Sequence, residues 1–412
     1  MDITRKQFTD DPHRPIFHFL PPKNWMNDPN GMIQWRGRYH LFYQHNPSLP
    51  VWGDIHWGHA VSDDFIHWQD MPIALAPTPN SYDEKGIWSG CAVDNDGMAT
   101  ILYTGASGDR HQTQTVCMAI STDDDLATWH KYEQNPLIST PPDEFAGCGF
   151  RDPYVWREGT TWYMVIGAGQ KGGSEAVLLY QSPDLYQWQY LHPLYVSTSE
   201  NDYAYECPNF FQLGNKWVLL VSVMPESHTE YIIGTYANHT FTPEHHGKLV
   251  DGDFYAPLTF ADDRGRRLML GWIKETSPVS HWQKAGWAGC MSLPVELTLS
   301  EDERWLLHQP LVDLIPEHRH GQYWAFDRVT DDQLAEIDAQ IGTKAIKVIL
   351  PDSPDFTLYI DHSVIEAFGN YGFHKVMRSY EETGIRALKH FFYLPPPGQR
   401  VHIWPVDSIW QA

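Results

Sequence analysis

Basic residues are scarce in this sequence. Lys and Arg number 29 against 52 Asp and Glu, a formal net charge of −23 over 412 residues. With no basic stripe to neutralise phosphates, nucleic acid is excluded as a partner, and an anionic membrane surface with it. Acidity on this scale also keeps a chain soluble without any further role. Long apolar runs are missing as well. No stretch approaches the roughly 18 residues of a spanning helix, and the first 22 residues hold none long enough for a signal peptide. The expectation is a cytoplasmic protein with no membrane partner, in which the sequon at Asn238 goes unused. Cysteine is sparse: Cys91, Cys117, Cys148, Cys207 and Cys290 are odd in number and irregular in spacing. That fits neither a disulfide framework nor a zinc pattern, so reduced thiols are expected.

What is abundant is aromatic: 14% of the residues, with 18 Trp. Indole faces stack on the C–H faces of sugars and carboxylates bind their hydroxyls, so an acidic, Trp-rich chain suits carbohydrate. The length exceeds what one core usually supports and calls for a large repeat or two domains. A repeat is present. "YHLFYQ…HAVSDDFIHW", "ATILYTGA…MAISTDDDLATW" and "WYMVIGAG…LLYQSPDLYQW" share an aromatic strand, a loop, a second strand, then Ser-Asp or a near relative and a Trp. A weaker copy ends at Phe241 and "RRLMLGWI" begins a fifth; Trp68, Trp129, Trp188 and Phe241 are 61, 59 and 53 residues apart. Short apolar runs punctuated by Gly, Pro, Asn and Asp are strands. Units of four strands repeated around an axis make a β-propeller, here of five blades; a many-stranded sandwich would also show regular turns, but not the recurring Ser-Asp…Trp. The three Trp read as blade-closing core rather than sugar platforms. "GAGQKGG" at 167–173 contains a literal G-x-G-x-x-G, but "SEAVLLYQS" after it is a strand, so it is a hairpin turn and not a dinucleotide site.

Upstream of each aromatic strand stand "WMNDPNG" with Asp28, "WSGCAV" with Trp88 and Ser89, "FRDPYV" with Arg151 and Asp152, "YECPNF" with Glu206 and "DFYAPL" with Asp253. The first strand of a propeller blade is innermost, so Asp28, Asp152 and Glu206 are expected to converge at the axis from matching repeat positions. A lone "NDPNG" would be a turn; three acids in register point to chemistry. Glycoside hydrolysis needs one ionised and one protonated carboxyl group, and crowding of like charges raises a pKa far enough to keep one protonated. A calcium site is the rival reading, but no EF-hand-like loop supports it and no metal is expected.

"WMNDPNG", "FRDP" and "YECP", in this order and spacing, resemble the three signature motifs of glycoside hydrolase family 32, the invertase, inulinase and levanase family. "YQHNPSLPVWGDIHWGHAVSDDFIHW" is similar to that family's first blade, and "DFYAP" and "SLPVEL" match later landmarks, so the resemblance covers residues 12 to 310. It implies an all-β chain, a five-bladed propeller and then a β-sandwich, that hydrolyses terminal β-fructofuranosides with retention. Carried over by position, Asp28 matches the nucleophile, Glu206 the general acid/base and Asp152 the transition-state stabiliser. Asn27, Gln44, Trp52, Trp88, Ser89, Arg151 and Trp272 fall where the family lines its fructose pocket, although Trp88 and Trp272 also read as blade packing. Cys207 packs against or tunes the acid beside it. Trp88 stands where the family often has Phe. "FTLYIDHSVIEAFGNYGFHKVMRSY" resembles a late family stretch, yet only about 55 residues separate it from "SLPVEL". The expected layout is therefore a propeller over 1–300 and a shortened sandwich over 301–412. Sucrose and short fructo-oligosaccharides are the expected small-molecule partners, and no cofactor is needed. A fructan exohydrolase on inulin or levan, a fructosyltransferase and an inactive fructan-binding lectin stay open, and oligomeric state leaves no mark.

Overall fold

The structure is a computed structural model that describes residue 8 and residues 10–109, 112–170, 172–199, 203–311, 324–326, 340, 344–350, 353–380, 383 and 401–406. Five antiparallel sheets of four successive strands form the blades of a propeller. Blade I comprises Asn24–Trp35, Arg38–Asn46, His56–Ser62 and Trp68–Leu75. Blade II comprises Gly86–Asp94, Ala99–Ser107, Thr113–Ser121 and His130–Lys131. Blade III comprises Phe150–Glu158, Thr161–Gly169, Glu175–Ser182 and Gln189–Val196. Blade IV comprises Glu206–Leu213, Lys216–Val223, His228–Ala237 and Thr240–Lys248, and blade V Phe254–Ala261, Arg267–Ile273, Val295–Leu299 and Leu306–Pro310. The first strands of neighbouring blades touch each other in a closed ring, from I to V and back to I, so they are innermost as expected. Each second strand is covered by adjacent blades on both faces, which is why it reads as a continuous apolar run instead of an alternating one: Leu41, Leu102, Val165, Leu219 and Met269 are fully buried. The ring is fastened by Trp287–Ala288, which pairs parallel with Asn24 and Trp25 of blade I.

The recurring Ser…Trp element is a hydrogen-bonded hook. The Ser62 hydroxyl accepts from the Phe65 N–H at 2.9 Å, and Asp64 Oδ1 accepts from the N–H groups of Ile66 and His67 at 2.9 and 2.7 Å. Ser182 and Asp184 repeat this arrangement around Leu185 to Gln187. The acid that matters is two residues after the Ser, so Asp63 is incidental. Phe65, Leu126 and Leu185 take a left-handed backbone at φ 67°, 51° and 70°. The Trp129 and Trp188 indole N–H groups then donate to the Leu126 and Leu185 carbonyls at 2.8 Å. These Trp close the blades, and Trp68 is buried against Phe19 and Phe65.

The fold is all-β, a propeller followed by a shortened C-terminal β-sandwich module whose described residues form one seven-stranded sheet. Its strands run in the order Asp251–Gly252, His374–Arg378, Val364–Phe368, Ser353–Asp361, Ala345–Leu350, Val401–Val406, Trp324–Phe326. Two features depart from the expected layout. Leu306–Pro310 pairs with Val295–Leu299 as the outer strand of blade V, so the propeller's last sheet ends beyond residue 300. The strand is short, with Leu306, His308 and Pro310 inward and Leu307 and Gln309 outward, and it sits within a stretch read as polar whose residues 312–323 lie outside the described ones. The two modules also interlock. Buried Asp361 accepts from the N–H groups of Ile16, Phe17 and His18 at 2.9, 2.6 and 2.9 Å and from His18 Nδ1 at 2.8 Å. His18 Nε2 reaches Glu366 Oε1 at 2.9 Å, and His374 Nε2 reaches Glu366 Oε2 at 2.7 Å. Among the described residues no helix is long and apolar enough to cross a membrane. None of the five cysteines forms a disulfide.

Candidate active site

A regular strand sends neighbouring side chains to opposite faces, yet Asn27 and Asp28, and Arg151 and Asp152, line one cavity together. The reason is a bulge near the start of every innermost strand. Residues 27–28 face Gln44 alone, 152–153 face Ile166, 207–208 face Val221 and 256–257 face Gly271; in blade II Ser89 is the unpaired extra residue. Bulges of this kind re-aim side chains and interrupt pairing, and a proline without an N–H is at home there: Pro29, Pro153, Pro208 and Pro257 all fall at or beside them. The backbone pays with left-handed conformations at Asp152, Cys207 and Ala256, φ 65°, 47° and 49°. One expectation needs correction. Glu206 does not share the repeat position of Asp152; it is the last paired residue ahead of its bulge, in the place Arg151 and Tyr255 hold in their blades, and Cys207 occupies the bulge.

The cavity has a volume of about 490 Å³. Asn27, Asp28, Gln44, Trp52, Trp88, Arg151, Asp152, Glu206 and Trp272 line it, so the structure gathers nine of the ten expected residues at its wall. The tenth, Ser89, is buried beneath and bonded to Asp28. Asp28 is held on both oxygens: Oδ1 accepts from Asn27 Nδ2 at 3.0 Å, and Oδ2 from Ser89 Oγ at 2.7 Å and Gln44 Nε2 at 3.2 Å. Gln44 is fixed in turn by Asn27 and Ser89. Burial pushes the Asp28 carboxyl up to about 6, helped by the Glu206 charge and opposed by the Ser89 and Asn27 donors. Asp152 is buried and accepts from the Cys207 N–H at 2.8 Å. Burial pushes it to about 7, with Arg151 pulling down and Glu206 pushing up. Glu206 has the opposite surroundings: Oε1 accepts from Arg151 Nε and Nη2 at 3.1 and 2.8 Å, and Oε2 from the Tyr255 hydroxyl at 2.5 Å. The Cys207 sulfur lies 3.7 Å from Asp28 and 3.6 Å from Asp152. Burial and the adjacent carboxylates push its thiol well up, so it remains a protonated filler between the acids. Trp52, 46% exposed, tilts against Trp88 at the mouth, ring centres 5.9 Å apart.

Sequence reasoning missed Tyr255, Gln114, Met224 and Ser227 on this wall. Tyr255 carried a usable signal, because "YAP" repeats the place of "ECP". Attention went to Asp253, which instead accepts from the Arg378 N–H at 2.9 Å in the C-terminal sheet. Gln114 lies on a third strand, Met224 and Ser227 in a turn of blade IV, and none stands in a motif. Asn30 and Asn209 were also overlooked. Each follows its bulge and ties two blades together, Asn30 through the Gly90 N–H at 3.3 Å and Asn209 through the Thr259 N–H at 2.7 Å. Among the described residues no group of His, Cys, Asp and Glu is arranged to hold a metal ion.

Fold and site together define a class: a five-bladed β-propeller of the glycoside hydrolase type, with its carboxyl groups gathered at the axis. The chain belongs to glycosyl hydrolases family 32, whose N-terminal domain model matches residues 18–310. A sucrose-6-phosphate hydrolase of Escherichia coli is 40% identical over 316 residues, covering 72% of this chain and 64% of the relative. A cell wall β-fructofuranosidase of Pisum sativum is 35% identical over 338 residues, covering 74% and 60%. The chain thus spans under two thirds of the length of these curated relatives. In structure it is similar to the Bombyx mori GH32 β-fructofuranosidase BmSUC1, with 26% identity, a TM-score of 0.77, and coverage of 99% of this chain and 97% of the other.

Proposed function

We propose that the chain is a retaining β-fructofuranosidase whose substrate is sucrose. The observation that carries this is the unequal treatment of three carboxyl groups around one cavity. Asp28, ordered by three side-chain donors, attacks C2 of the fructosyl unit and forms a fructosyl-enzyme. Glu206 gives its proton to the departing glucose oxygen, then takes one from the water that releases fructose. Asp152 stabilises the oxocarbenium-like charge between them. One guanidinium, that of Arg151, sits among the three carboxyl groups and offsets only part of the negative charge gathered there. The names of relatives split between sucrose-6-phosphate hydrolase and β-fructofuranosidase, so the 6-phosphate belongs beside sucrose in the test.

The test is product analysis on sucrose, sucrose 6-phosphate, short inulin and levan, with glucose and fructose both quantified. Equal glucose and fructose from sucrose supports hydrolysis, whereas excess glucose indicates a fructosyltransferase. Asp28→Ala and Glu206→Gln should each stay folded and lose at least about 10³-fold in kcat, the scale of removing a nucleophile or a general acid. Near wild-type turnover by either variant would reject the assignment.

A further inference from the structure

A carboxylate offers about four lone-pair positions on its two oxygens. In Glu206, donors among the described residues occupy all but one of them. Arg151 Nε and Nη2 both donate to Oε1, at 3.1 and 2.8 Å, and the Tyr255 hydroxyl donates to Oε2 at 2.5 Å. Arg151 is kept from swinging off Oε1 because its Nη1 donates to Gln114 Oε1 at 3.0 Å, and that oxygen is itself fixed by the Phe150 N–H at 3.0 Å. A guanidinium only donates and does not give up its protons, so Oε1 has no place for another. The open position is on Oε2, beside the Tyr255 hydroxyl. Tyr255 is firmly placed: it is buried, it pairs with Trp272 across blade V, and Lys274 Nζ, which donates to the Ser227 carbonyl at 2.6 Å, lies 5.9 Å from its ring centre. Burial and then the Glu206 charge push its phenol well above the ordinary value, so the hydroxyl keeps its proton.

We propose that Tyr255 is a positioning residue for the acid: it confines the transferable proton to the one open lone pair of Glu206 Oε2 and steadies the charge left on that oxygen as the proton departs. The inference rests on the reading of Glu206 as the acid. In the first step the Oε2–H bond breaks, the proton goes to the glycosidic oxygen, and the electron pair of the C2–O bond leaves with that oxygen while Asp28 bonds to C2. Oε2 gains negative charge, so the Tyr255 bond is stronger in the transition state than before it, which is the condition for acceleration. In the second step the same lone pair takes a proton from water, whose oxygen bonds to C2 as the bond from Asp28 breaks. Charge on Oε2 now shrinks, and the bond gives no help. Tyr255 therefore favours forming the fructosyl-enzyme over clearing it.

The experiment compares the wild type with Tyr255→Phe, which removes the hydroxyl and keeps the packed ring, the fold being checked by urea unfolding. It measures kcat/KM of the full chain, which reports the steps up to the fructosyl-enzyme, on sucrose and on a β-fructofuranoside whose nitrophenolate leaving group departs without a proton. Losing a hydrogen bond to a charged group predicts a fall of about ten- to hundredfold on sucrose and of less than about threefold on the activated substrate. The loss on sucrose should stay short of the about 10³-fold expected when the acid itself is removed. A purely structural role would lower both substrates together. Equal losses on the two, or a sucrose value within about twofold of wild type, overturn the role of Tyr255 and leave the assignment of Glu206 standing. Absence of sucrose turnover by the wild type overturns the functional reading and this inference with it.

Discussion

Replacing Ser89 by Ala isolates the electrostatics of the nucleophile. The Ser89 hydroxyl donates to Asp28 Oδ2 at 2.7 Å and is itself fixed by Gln44 Nε2 at 2.6 Å. Burial has already raised the Asp28 carboxyl to about 6, and the Ser89 bond is the largest force holding it down. A hydrogen bond to a charged group contributes about 1.5–3 kcal/mol, and about 1.4 kcal/mol corresponds to one pH unit. Removing it should raise the nucleophile's pKa by roughly one to two units. Asp28 attacks only when ionised, so activity is lost as pH falls through that value. The acid limb of kcat/KM on sucrose, expected near pH 6, should therefore move toward neutrality. At pH 6 a one-unit shift costs roughly fivefold in rate, with little loss on the plateau. Initial rates across the pH range read this directly. A limb that stays put while the rate drops equally at every pH, or that moves to lower pH, would refute the reasoning.

The joint between the modules gives two further expectations. Asp361→Asn takes a charge from a fully buried site that accepts five hydrogen bonds and leaves Glu366 as the one carboxylate partner of His18. Breaking a buried pair from one side costs about 3–5 kcal/mol, to be read as a lower midpoint in urea unfolding. Burial works against charge on His18, yet the Asp361 and Glu366 bonds raise its pKa to about 9. Burial likewise opposes charge on Asp361 and Glu366, but their His partners pull both below the ordinary carboxylate range. The raised His contributes fully below about pH 6.5 and is lost as pH rises through about 9. The depressed acids contribute above their ordinary values and lose that contribution as pH falls below them. Thermal unfolding should thus show stability falling between about pH 6.5 and pH 9 in the wild type, with a shallower fall in His18→Asn. Equal slopes for the two proteins would remove His18 from the joint.

Much of this was legible because a repeat copies its solutions. The hook at Ser62 and Ser182 recurs in the letters, and so do the prolines beside the bulges, which made five blades and an axial meeting point readable. The bulges were not legible. Two residues opposing one is a fact about pairing between strands, and without it Glu206 aligned with Asp152 rather than with Arg151 and Tyr255. Tyr255 was passed over because a phenol among carboxylates does not look like part of an acid cluster, although its hydroxyl is a donor to Glu206. Gln114 reaches the site from a third strand, where sequence alternation gives only its face. Leu306–Pro310 was hidden because a short outer strand buries only alternate residues and one of them is His308.

The central claim is that Asp28 becomes covalently bonded to fructose. Glu206→Ala, which can form the intermediate from an activated β-fructofuranoside but cannot activate water to clear it, should be incubated with that substrate, quenched, digested and mapped by mass. The account predicts one fructosyl adduct, on the peptide carrying Asp28. An adduct on the peptide of Asp152, or turnover to fructose of inverted configuration with no adduct, would contradict it.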